Sequence, residues 1–214
     1  LHVRSRRQRQ MCIRDRAESV SEQLASVGLD DYHQRIYDLA LEGAAAIAAQ
    51  FEADIQAGRI SLADLFDRQY QPIPNSFPAK FRTRFDSYAD GVLPAIQEPL
   101  LKRHEGLVFA IATTPEGYVP THNQAFNHPP TGDRAVDTVK SRSKRMFNDR
   151  TGIRCGSHKQ RLLLQTYMRD TGELMHDCRC LSMSRASIGV ACGWATSRSR
   201  DPYCLAAGYL KMRR

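Results

Sequence analysis

His122 and Asn123 close the stretch YVPTHN. An imidazole beside a carboxamide at the mouth of a strand either hydrogen-bonds a small ligand or caps the turn that follows. Further on, Arg142, Lys144, Arg145 and Arg150 gather around Asp149. Such a run is a solvated helix face or, with Arg145 and Arg150 turned inward, a clamp for a carboxylate, because a guanidinium presents a rigid fork of donors. In QTYMRD, alternation puts Gln165, Tyr167 and Arg169 on one face and Leu164, Thr166 and Met168 on the other. The apolar Leu162 and Leu164 favour a solvent-facing polar trio. Asp177, near the end of the next strand, can neutralise a ligand's amino group or pair with Arg169.

Other chemistries find less support. Cys178, Cys180, Cys192 and Cys204 lack the disciplined spacing of a zinc site. His122, His128, His158 and His176 could ligate a haem, but without Cys-x-x-Cys-His covalent attachment is excluded. No phosphate-binding Gly-rich loop, nucleophile elbow or His-Glu-x-x-His is present. The expectation is a non-enzyme with no catalytic residue, no metal and no predicted cofactor, non-covalent haem staying open.

The elements that must position these residues begin with a helix over 29–57, where Ile36, Leu39, Ala40, Ala44, Ile47, Phe51 and Ile55 recur at three- and four-residue spacings. Gly58 ends it, and Ser61 caps the short helix SLADLF. A helical stretch beginning near Ala79 is expected to break or kink at Pro94 and Pro99. At Gly106 the period changes. GLVFAIATT reads as a buried strand with YVPTH as its hairpin partner. RAVDTVKSRSKRMF reads as a helix, and RLLLQTYMRD, TG and ELMHD as a second hairpin. Helices first and hairpins later make an α+β layout with an antiparallel sheet.

Charge is unevenly spread. The chain has 214 residues and a net charge of +8. Residues 1–16 hold six arginines against Asp15, and 178–214 hold seven cations against Asp201, which leaves −3 for 17–177. The basic character that would suggest a nucleic-acid binder therefore belongs to the ends. No run approaches the ~18 apolar residues of a membrane span, and the opening lacks a secretory signal's apolar stretch.

GYVPTHN (117–123), TGD (131–133), RSKRMFNDRTG (142–152) and LLQTYMRDTGELMHD (163–177) together resemble a Cache-type, PAS-like sensor module, found at the cytoplasmic C-terminal end of some bacterial methyl-accepting chemotaxis proteins. The resemblance covers roughly residues 20–177. That family continues with a hairpin of the form VPIYVxGxHWGGxRxGY, which this chain lacks. Shifting the reading frame by one base allows it: Cys180–Leu181 can give Pro, Leu181–Ser182 Ile, Ser182–Met183 Tyr, and Trp194–Ala195 must give Gly. Residues 178–214 are therefore expected to be a frameshifted, non-native tail. The head, 1–16, resembles translated sequencing-adaptor or assembly debris, with 17–28 the end of an upstream signalling region or linker.

The resemblance implies a sensor domain over 29–177, its PAS/Cache-like sheet truncated at the last hairpin. It implies a small-molecule ligand, and a candidate contact set of Tyr118, His122, Asn123, Arg145, Arg150, Gln165, Tyr167, Arg169 and Asp177. It further implies a chemotaxis histidine kinase and coupling protein as partners through a signalling domain not in this chain. A homodimer in the full receptor, no nucleic acid and a cytoplasmic location, with the parent receptor anchored in the inner membrane or not, complete the expectation. Alternatives are the same sensor on a histidine kinase or nucleotide cyclase, or a small basic nucleic-acid-binding protein.

Overall fold

A computed structural model describes residues 31–157, 163–169, 172, 174–181 and 191–196. Within 174–181 and 191–196 the side chains described are those of Met175 and Cys178. The expectations for 1–16 and 17–28, and for most of 178–214, lie outside the described residues. Contacts divide the chain into two compact units, Leu1–Arg35 and Ile36–Arg214. Of the first, the described part is the opening turn of a helix, where the Tyr32 and His33 rings meet edge-on at 5.3 Å.

The second unit is built on helix α1 (Asp31–Gln56), whose apolar spacing the sequence displays. Ala44, Ile47 and Phe51 on α1 pack with Ile60, with Leu65 of α2 (Leu62–Leu65), with Phe85, and with Ala89 and Leu93 of α3 (Asp86–Leu101). The Phe51 ring meets Phe85 edge-on at 5.7 Å. Asp54 is buried in this layer and accepts hydrogen bonds from Tyr88 (2.6 Å) and Gln50 (2.8 Å) and from the Arg59 guanidinium. The Tyr88 bond, ahead of the others, holds its carboxyl below the usual carboxylate range against the opposing pull of burial.

Helix α3 runs through Pro94 and Pro99, correcting the expected break. A proline frees the carbonyl four residues earlier. Ala95, which Pro99 frees, is solvent-exposed, so water can satisfy it. Ser61 caps α2 as expected, its Oγ accepting from the Asp64 N–H at 3.1 Å.

A two-residue ladder pairs β1 (Gln71–Pro72) with β2 (Phe81–Arg82). The main sheet holds β3 (Leu107–Thr113), β6 (Leu163–Met168), β7 (Leu174–Leu181) and β8 (Ala191–Thr196) in the antiparallel order β3-β8-β7-β6. The α+β layout therefore stands, with two corrections. First, the sheet is not truncated at its last hairpin: β7 runs past Asp177 to Leu181, and β8 pairs with both β7 and β3. Period-2 reading fails here because ladder formation needs only backbone N–H and C=O groups. Backbone pairing bears on the fold, not on the reading frame that encodes these residues.

Second, YVPTH is not the ladder partner of β3. β4 (Tyr118–Val119) pairs instead with β5 (Arg145–Met146), Tyr118 opposite Met146. Only the turn is hairpin-like, closed by the Thr114 N–H on the Tyr118 carbonyl at 2.9 Å. Pro120 has no N–H to continue a ladder, and the Asn123 side chain takes the Ala110 N–H at 2.7 Å. The predicted helix over 134–147 shortens to α4 (Arg134–Lys140), capped by Asp133 Oδ1 on the Ala135 N–H at 2.8 Å. Beyond it Lys144 adopts φ +63°, outside the helical region. The last helix is α5 (Arg150–Ser157).

Alternation along β3 divides the interior. Ala112 seats the helical layer, while Phe109 and Ile111 pack with Val119 and Met175 on the opposite face.

Candidate functional site

Phe109 and Ile111 form the floor of a cavity of about 400 Å³ between the sheet and the excursion carrying β4, β5 and α5. Its walls include Val119, Met146, Phe147, Tyr167 and Cys155, with His122, Arg142, Arg169 and Asp149 among its polar groups. Its volume falls within the ~300–1,000 Å³ typical of small-molecule sites, and an apolar lining with a few convergent polar groups is their usual composition.

The roof is held by close backbone packing. The Phe147 N–H donates to the Gly117 carbonyl at 2.9 Å. A Cβ on Gly117 would lie 2.2 Å from the Phe147 carbonyl oxygen, and one on Gly152 would lie 1.9 Å from it. Gly117 also needs φ +88°, a conformation that favours glycine. The obstacle is backbone in both cases, so no side-chain rotation relieves it. Gly152→Ala is therefore expected to push α5 away from Phe147 and to destabilise the fold by roughly 1–3 kcal/mol, the range for forced overpacking. Urea unfolding measures this, and an unchanged midpoint would contradict the packing.

His122 is 2% exposed and stands between the Phe109 ring (5.5 Å) and the Phe126 ring (5.0 Å). The Asn123 backbone N–H donates to its Nδ1 at 2.8 Å. An Nδ1 that accepts places the proton of a neutral imidazole on Nε2. Burial first, then Arg142, Arg169 and Arg145, hold its pKa well below the ordinary 6.5, so the ring is neutral. Its Nε2–H makes no hydrogen bond among the described residues, and the ring lines the cavity as a donor. A haem iron needs the Nε2 lone pair, which this tautomer does not offer, so His122 does not fit the haem-ligand expectation. His128 is exposed, and the side chains of His158 and His176 lie outside the described residues. Among the described residues no three His, Cys, Asp or Glu side chains cluster as a metal site.

The two arginines are stacked on aromatic faces. Arg142, 5% exposed, lies over Phe147 at 5.1 Å and donates from Nη1 to the Thr138 carbonyl at 3.1 Å. Arg169, 6% exposed, lies over Phe126 at 4.7 Å and Phe109 at 5.8 Å. Stacking of this kind fixes a guanidinium's plane while leaving its N–H edge directed sideways.

The candidate set thus divides. His122, Tyr167 and Arg169 line the cavity. Tyr118 borders it by sequence but points away: its hydroxyl donates to the Asp86 carboxylate at 2.8 Å, tying β4 to α3. Burial, then the Asp86 charge, push its phenol above the ordinary range. Asn123 is structural, its Oδ1 on the Ala110 N–H and its Nδ2 donating to Glu98 at 3.0 Å. Arg150 is exposed on α5, and Arg145 donates to the Thr138 carbonyl at 3.0 Å from outside the cavity lining. The inward cation of the basic run is Arg142, which the sequence reading placed on a solvated face. Gln165 lies beside the cavity, donating to the Thr151 carbonyl and Cys155 Sγ. Asp177 pairs with Gln165 in the β6–β7 ladder, and its side chain lies outside the described residues.

The polar trio of β6 faces inward, against expectation. Leu163 is 1% exposed on the inner side with Gln165, Tyr167 and Arg169, whereas Leu164 is 40% and Met168 64% exposed. The reason is β6's position: it is an edge strand beyond the reach of the helical layer, which packs on β3. No family model, curated protein or solved structure matches the chain.

Proposed function

We propose that this protein is the small-molecule-sensing domain of a bacterial chemoreceptor, binding a small carboxylate or amine in the cavity above β3. The observation that supports the reading is the pairing of a largely apolar cavity of about 400 Å³ with buried polar side chains, among them His122, Arg142 and Arg169. Buried polar groups converging on a space large enough for a ligand are more than packing requires.

The fold offers a route from ligand to output. β3 is shared: Phe109 and Ile111 meet the ligand space, and Ala112 on the opposite face belongs to the helical layer that also holds Ala44, Ile47 and Phe51. A ligand that favours one seating of β3 therefore favours one seating of α1, and the helix passes the bias to whatever signalling element it joins. The coupling protein and histidine kinase of chemotaxis are the partners of this reading, through a signalling domain outside this chain. A histidine kinase or cyclase output would use the same cavity.

A nucleic-acid reading gains little from these cations, since Arg142 and Arg169 are buried and so unavailable to a polyanion's surface. No helix among the described residues is long and apolar enough to cross a membrane. The test is a thermal-shift screen of carboxylates, amines and neutral metabolites on the whole chain. A binder raises the midpoint with concentration, by ~2.7 kcal/mol of stabilisation at a hundred times Kd, and the rise disappears in Arg142→Met. A screen in which no compound shifts the midpoint would refute the reading.

A further inference from the structure

We infer that His122 selects the ligand: the cavity takes an apolar, ring-bearing molecule that presents a carbonyl-type oxygen to the Nε2–H of this imidazole. This deepens the reading of the cavity as a sensing site and rests on it. The His122 ring lines the cavity, and the residue is 2% exposed. Its Nδ1 is taken by the Asn123 backbone N–H at 2.8 Å, which puts the proton of the neutral ring on Nε2. That second nitrogen makes no hydrogen bond among the described residues. The rings that flank it, Phe109 at 5.5 Å and Phe126 at 5.0 Å, carry no oxygen or nitrogen to accept its proton. A buried donor left unpaired is costly, so a ligand that brings a lone pair to it gains what the same body without one cannot.

The donor is held in place by the backbone around it. The His122 N–H donates to buried Ser143 Oγ at 2.8 Å, and Asn123 Oδ1 accepts from the Ala110 N–H of β3 at 2.7 Å. The imidazole is thus tied to β3 on one side and to the segment before β5 on the other, so a ligand does not have to order it. What the donor rejects follows from the same arrangement. A primary ammonium carries donors only, and set against the Nε2–H it would leave that group unpaired. The rest of the lining asks for an apolar body. Ile111, Val119, Met146 and Phe147 present apolar surface to a space of about 400 Å³, which accommodates a ring.

Probes that share one carbon skeleton isolate the contact in titrations of the whole chain followed by NMR. These are acetophenone, which has the carbonyl oxygen, ethylbenzene, which has no polar atom, and 1-phenylethylamine, an ammonium at neutral pH. Ethylbenzene leaves water more readily than the ketone, so the deciding quantity is the acetophenone-to-ethylbenzene affinity ratio compared between parent and variant, where that difference cancels. The ratio is expected to fall about tenfold in His122→Phe, the scale of one hydrogen bond to a buried donor. It is expected to fall much less in His122→Gln, whose amide still offers an N–H. In the parent chain, acetophenone is expected to move the His122 Nε2–H proton downfield, as a new hydrogen bond does, and ethylbenzene is not; this measurement needs no variant to fold.

An unchanged ratio in folded His122→Phe, or an acetophenone complex in which the Nε2–H proton stays where it was, would overturn the inference. So would 1-phenylethylamine binding as tightly as acetophenone. If the ketone fails while a library compound without an acceptor oxygen binds, the ligand class is wrong and the sensing reading survives. If nothing binds, both fall.

Discussion

Phe51→Ala is expected to lower the unfolding free energy by about 3–5 kcal/mol, the usual range for removing a buried aromatic ring. The ring is 0% exposed and central to the layer formed by α1, α2 and α3, where it meets Phe85 and Tyr88, each at 5.7 Å. Its removal forfeits transfer free energy and leaves a void that Ile47 and Leu93 cannot fill without moving whole helices. Against a typical total of ~5–15 kcal/mol, the loss leaves a folded but marginal protein. Urea unfolding by circular dichroism measures it, and a loss below about 1 kcal/mol would show that α1 is not seated in this layer. The same substitution separates the two halves of the interior. Phe51 and Ala112 belong to the helical cluster, whereas Phe109 and Ile111 belong to the cavity cluster on the other face of β3. Ligand affinity of the folded fraction should therefore fall much less in Phe51→Ala than in Phe109→Ala.

The helical layer was legible in the sequence because its signal is local. Ile36, Ala40, Ala44, Ile47 and Phe51 repeat with the helical period, and each is buried. The β6–β7 hairpin was legible for the same reason, with Gly172 at φ +85° in its turn. What failed depended on distant partners. Nothing local says that Tyr118 pairs with Met146 rather than with β3, since both choices satisfy the same backbone groups. The facing of Gln165, Tyr167 and Arg169 hinged on whether helices cover the far side of β6, a question of sheet order and not of alternation. Arg145 and Arg150, not Arg142, were the inward candidates of the basic run, read with a helix expected to continue to Phe147. The helix ends at Lys140, and in the irregular backbone that follows it is Arg142 that reaches the cavity. His122 was legible as a polar residue at a strand's end, but its role as a donor follows from one backbone N–H that only the folded chain brings to Nδ1.

The donor role of His122 has a consequence for acid stability. The folded ring resists protonation, its pKa held well below 6.5 by burial and by Arg142, Arg169 and Arg145, while the unfolded chain's histidine titrates near its ordinary value. Phe109 and Phe126 on its flanks bring no charge that would offset these cations, and the Asn123 N–H already occupies the nitrogen that a proton would take. With the folded pKa depressed, the unfolded state binds the extra proton as pH falls below 6.5, so stability present above that value is lost on the acid side. The loss steepens toward about 1.4 kcal/mol per pH unit, the limit for one proton, and continues until the folded ring itself titrates. Buried Asp54 and Asp67, whose carboxyls are held below 3.8, add their own loss only at lower pH, as it falls through their folded values. The first limb is therefore assigned to His122 alone by difference. Urea unfolding free energies collected from about pH 7.5 to about pH 4.5 should fall less steeply in His122→Gln and His122→Phe than in the parent chain, whatever the variants' stability at neutral pH. The comparison of slopes cancels the other histidines, which all three chains share. Parallel curves would mean that the folded His122 takes up a proton as readily as the unfolded one, and the imidazole could then not be the neutral donor facing the cavity.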